Sequence, residues 1–127
     1  MNKLLFLLLI PVFFISCSSE TENLRSEVMA IHDEVMPKMD DIMREKARLT
    51  VLMEESGDSV KIVEIRTAIS ELNAADEGMM QWMRTFNPDE YEGNEDALIQ
   101  YYQEEKTRIE DVRTNMMNAL KNSRSIN

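Results

Sequence analysis

Between Leu24 and Leu120 the apolar residues recur at three- and four-residue steps in three separate runs. That spacing admits little besides long amphipathic helices. Glycine and proline, which punctuate strands and turns, number three each in 127 residues. Apart from Pro11 and Gly78, they stand between the runs or at one break: Pro37, Gly57, Pro88 and Gly93. An all-β chain needs many more turns, so the expected fold class is all-α.

The first run, over 24–54, carries Leu24, Val28, Ile31, Val35, Ile42, Leu49 and Leu52. A second stripe lies beside it: Met29, His32, Met36, Met39, Met43 and Ala47. So wide an apolar face implies two neighbours. Pro37 has no N–H for the carbonyl of Asp33, so it kinks this helix or divides it. Gly57 suits the C′ position, and Asp58 or Ser59 caps the next helix. The second run, over 59–86, reads Ile62, Ile65, Ile69, Leu72, Asp76, Met79, Met83 and Phe86, a heptad pattern with one polar member. Asn87-Pro88-Asp89 stops it. The third, over 94–121, reads Leu98, Tyr102, Glu105, Ile109, Val112, Met116, Ala119 and Leu120. Residues 123–127 are expected to fray.

Short connections make successive helices antiparallel, so the expected architecture is a coiled-coil-like antiparallel three-helix bundle over 24–122. A turn centred on Gly57 sets Val28 against Phe86, His32 against Trp82, Ile42 against Leu72 and Leu49 against Ile65. A turn centred near residue 90 sets Met79 against Tyr102, Leu72 against Ile109 and Ile65 against Met116. Glu45 facing Ile69 is the one mismatch.

This register gives each seam one charged residue and puts all three, Lys38, Asp76 and Glu105, in a single layer. A lysine between two carboxylates has two readings, a chemical site or a device that selects one alignment over a slipped one. The register also gathers His32, Met36, Met79, Met83 and Trp82. An imidazole, thioethers and an indole together suit a soft monovalent metal, Cu(I) or Ag(I). The competing reading is that flexible methionines fill the gaps of a Pro-broken core.

The chain opens with Lys3 and an apolar stretch from Leu4 to Ile15, too short to span a bilayer but right for a signal-peptide core. It ends at Phe14-Ile15-Ser16-Cys17 and turns polar at once. This resembles the lipobox of bacterial lipoproteins. The resemblance implies cleavage of residues 1–16, lipidation of Cys17 and a short tether over 17–23. A Cys bearing more than one acyl chain is a stable anchor. Ser18 is not the Asp associated with inner-membrane retention in some bacteria, which favours the outer membrane.

Fourteen basic against twenty-four acidic residues give a net charge of −10, and loss of Lys3 makes it −11. Such a surface repels phosphate backbones, so no nucleic-acid partner is expected. One Cys and one His exclude a disulfide framework and a Cys/His zinc site. No Gly-rich phosphate loop, G-x-S-x-G or H-E-x-x-H occurs, and no enzymatic activity or cofactor is expected.

His32-Asp33-Glu34-Val35-Met36-Pro37-Lys38-Met39, then Ala75-Asp76-Glu77-Gly78-Met79-Met80-Gln81-Trp82-Met83, then Tyr102, Lys106 and Val112 carry a further likeness. Together they resemble a group of small Bacteroidota lipoproteins often labelled viral A-type inclusion protein repeat-containing. Gly78 stands where that group leads one to expect Ala. The resemblance implies a helical cell-envelope lipoprotein and brings no catalytic residue with it. The expected role is protein binding or scaffolding on an envelope protein or a second copy, with soft-metal binding as the alternative.

Overall fold

A computed structural model of the chain describes residues 17–127. The leader expected at 1–16 lies outside them. The described residues form helix α1 (Cys17–Val35), α2 (Lys38–Glu55), α3 (Ser59–Thr85), a 3-10 turn (Pro88–Tyr91) and α4 (Glu95–Arg124), with no strand among them. The fold is an all-α bundle of three rods, the first being α1 and α2 in sequence.

Pro37 divides that first rod. Its backbone stays helical, at φ −62° and ψ −20°. The regular ladder nevertheless stops at Met36, whose N–H donates to the carbonyl of His32 at 2.9 Å. It resumes through a tighter bond, Met39 N–H to Met36 oxygen at 3.1 Å. Asp58 caps α3 as its side chain accepts from Val60 N–H at 2.9 Å. Gly57 is not left-handed. The only positive φ among the described residues belongs to Gly93, at 85°, just before Asn94 caps α4. Ser56 ends α2 in an extended conformation instead.

The ladder of contacts along α1 and α4 fixes their relation. Glu27 pairs with Lys106, and Glu34 with Arg113 at 3.3 Å. The step is seven residues on both helices, so α1 and α4 run parallel and α3 returns against them. Leu72, Met79, Ile109 and Met116 are fully buried at the centre, with Val28, Ile42 and Leu49 from the first rod. Each such side chain contributes about 1.5–3 kcal/mol by leaving water.

Three expectations are corrected here. The tether over 17–23 is helical. It belongs to α1, where Thr21 donates to Glu95 at 3.4 Å and half-buried Leu24 packs on the core. The tail does not fray either. α4 runs to Arg124, and Ser123 and Ile126 are buried. Arg48 of α2 holds that end, donating to the carbonyl of Ser123 at 2.8 Å and to that of Ile126 at 3.0 Å. The third correction is the α3–α4 register. Phe86 stands against Tyr101 and Glu71 against Asn122. A turn centred near residue 90 would have put Tyr101 beside Met80 and Asn122 beside Ser59. The 3-10 turn and Gly93 lengthen the connection and carry the start of α4 past the end of α3, alongside the first turns of α1.

Candidate functional site

The last turn of α1 and the last turns of α3 meet around His32. Its imidazole lies 5.7 Å from the indole of Trp82, ring centre to ring centre, as the register about Gly57 places it. Trp82 leads into a row of rings: Phe86 at 4.9 Å, then Tyr101 and Tyr102 at 6.0 and 6.3 Å from Phe86, with Tyr91 stacked on Tyr101 at 4.7 Å. Aromatic rings at these separations attract beyond the area that they bury. The N–H of Asn87 donates to the Tyr101 hydroxyl at 2.7 Å and ties the connection to this row. Burial pushes the Tyr101 hydroxyl above its ordinary pKa, against the pull of that bond.

Of the five candidate metal ligands, Met79 and Trp82 are buried, while Met36, Met83 and His32 are half-buried. Met36 and Met83 pack against the core as ordinary apolar side chains do. His32 Nδ1 lies 2.9 Å from an oxygen of Asp33. With the proton on Nδ1, that contact leaves the Nε2 lone pair free, the arrangement common behind a metal-bound histidine. The described residues contain no group of three or more His, Cys, Asp or Glu side chains arranged to hold a metal.

The three charged seam residues do not form one layer. Lys38 pairs with Asp41 at 3.6 Å and Glu105 with Arg108 at 2.9 Å. Asp76 is half-buried with no ion pair among the described residues. Thr21 meets Glu95, and the same step along α1 and α4 puts Glu105 beside Ile31, seven residues before Lys38, or roughly 10 Å along a helical rod. The displaced start of α4 is the cause.

Sequence reasoning missed the most connected carboxylate, Asp41. Lys38, Arg44 and Arg124 surround it, Arg124 at 3.5 Å. Burial raises its pKa, but these cations and the hydrogen bond from Arg44 outweigh that and hold it below the ordinary value. The local Lys38 and Arg44 spacing was legible, whereas Arg124 depends on where α4 ends.

The other end of the bundle exposes apolar side chains among its charged ones. Arg48 meets the end of α4, so the last two turns of α2 and the first two turns of α3 project as a two-helix hairpin. Val51, Val60 and Val63 are exposed on it, Val60 by 76%. Comparison with protein-family models, curated proteins and solved structures finds no match to this chain.

Proposed function

We propose that this chain is a lipid-anchored, non-enzymatic cell-envelope protein that binds or scaffolds another envelope protein or a second copy of itself. The observation that carries the reading is the separation of its two ends. α1 begins at Cys17, the lipobox cysteine, at the end of the bundle that holds the acidic residues Asp89, Glu90 and Glu92 of the connection and Glu95 and Asp96 of the first turn of α4. The exposed valines lie at the opposite end. A straight rod of residues 17–55 spans roughly 57 Å at 1.5 Å per residue. An anchor at one end would therefore hold the valine-bearing hairpin well clear of an outer-membrane surface. No helix among the described residues is long and apolar enough to cross a membrane, so attachment in this reading depends on the lipid.

The test has two arms. Cys17→Ser should release the chain from the membrane fraction or stall it as precursor. A photo-crosslinking residue at Val60 or Val63 should give one discrete adduct, while the same residue at Asp111 gives none. Mature Cys17→Ser retained on membranes would refute the anchor. Equal labelling from all three positions would refute the hairpin as the contact surface.

Soft-metal binding at His32, Met36, Met79, Met83 and Trp82 is the second reading, supported by the Asp33–His32 contact, which leaves Nε2 free when Nδ1 carries the proton. Anaerobic Cu(I) or Ag(I) titration decides it. Quenching of Trp82 fluorescence that is lost in both His32→Ala and Met36→Leu would favour metal. Absent or unchanged quenching leaves the methionines as core.

A further inference from the structure

Two polar atoms inside the bundle have no hydrogen-bond partner among the described residues: Trp82 Nε1 and Glu105 Oε2. Trp82 is 6% exposed and Glu105 is 1% exposed. A sealed donor and a sealed acceptor are both costly to leave unpaired. Both belong to one layer of the α3–α4 interface. Phe86 stands against Tyr101, and Trp82 lies one turn before Phe86 while Glu105 lies one turn after Tyr101. Antiparallel helices carry that pairing inward, so Trp82 and Glu105 face each other in the next layer.

The charge of Glu105 is already answered. Its other oxygen accepts from Arg108 at 2.9 Å, and Arg108 reaches solvent. A cation is therefore not needed there. The group that completes the layer must be neutral and small, must accept from an indole N–H and must donate to a carboxylate oxygen. Water does both, and buried waters typically bridge just such groups. We infer that one long-lived internal water is bound between α3 and α4, bridging Trp82 Nε1 and Glu105 Oε2. This layer is then a hydrated polar seat between the aromatic row and the aliphatic core.

Trp82 is the only tryptophan, so its indole proton gives a single NMR resonance. In the purified protein that proton should show a cross-peak to water with the sign of a long-lived contact. Glu105→Gln keeps an acceptor oxygen and should keep the cross-peak, whereas Glu105→Met should lose it. No cross-peak in the wild type, or one unchanged in Glu105→Met, would overturn the assignment. Should Glu105→Met fail to fold, a high-resolution crystal structure decides. Density for one water between the two atoms supports the seat, and a direct bond from Nε1 to Oε2 removes it.

Discussion

The guanidinium of Arg48 binds the carbonyl oxygens of Ser123 and Ile126 and the carboxylate of Glu45, at 2.8, 3.0 and 2.9 Å. One side chain of α2 thereby answers carbonyls at the end of α4, where the helix dipole is negative. Arg48→Met keeps most of the apolar stem and removes the donors. It should lower stability by about 2 kcal/mol, since hydrogen bonds to charged groups contribute roughly 1.5–3 kcal/mol. Arg48→Lys should restore little, because an ammonium lacks the planar fork. Urea denaturation measures both, and a change within about 0.5 kcal/mol in Arg48→Met would refute the cap.

Which parts of this arrangement were legible depends on how far each contact lies from its turn. The Asp58 cap, the break at Pro37 and the His32–Trp82 contact follow from local chemistry and from a tight connection at Ser56–Asp58. The position of α4 does not. Its displacement comes from a 3-10 turn and one left-handed glycine, whose combined length no apolar spacing encodes. The polar layer failed for that reason, and the ion pairs of α4 with Glu27, Glu34 and Asp41 went unseen. Ile126 is a different case. A lone apolar residue in a polar tail carries no period, so its burial was visible only in three dimensions.

Adjacent methionines separate core from surface. Met79 is fully buried and its neighbour Met80 is exposed. Met79→Ala should cost about 2–5 kcal/mol, the range for opening a core cavity. Met80→Ala should stay within about 0.5 kcal/mol. Paired chemical denaturation curves read the contrast, and equal losses at the two positions would mean that α3 is rotated from the orientation described.

Asp76 occupies a seam position without an ion pair, and it is half-buried. A carboxylate there loses hydration and receives no salt bridge in return. Asp76→Leu should therefore raise the melting temperature or leave it unchanged. A clear fall would show that Asp76 has a hydrogen-bonding role that its neighbours do not reveal.

Asp41 supplies the pH dependence. Its carboxyl sits below the ordinary value of 3.8 because Arg44, Lys38 and Arg124 outweigh the effect of burial. The folded state thus binds its proton less readily than the unfolded state does. Stability from this source is fully present above the unfolded pKa and disappears as pH falls through the lower folded value. Asp41→Asn removes it at every pH. The wild type should exceed Asp41→Asn in urea midpoint at pH 7, and the gap should shrink as the pH falls below about 4. The remaining carboxylates titrate in both proteins and largely cancel in the difference. Salt should narrow the pH 7 gap, since the cations around Asp41 reach solvent and are screened. A gap that stays constant down to strongly acidic pH would show that Asp41 acts through packing and that its charge is not what the three cations hold.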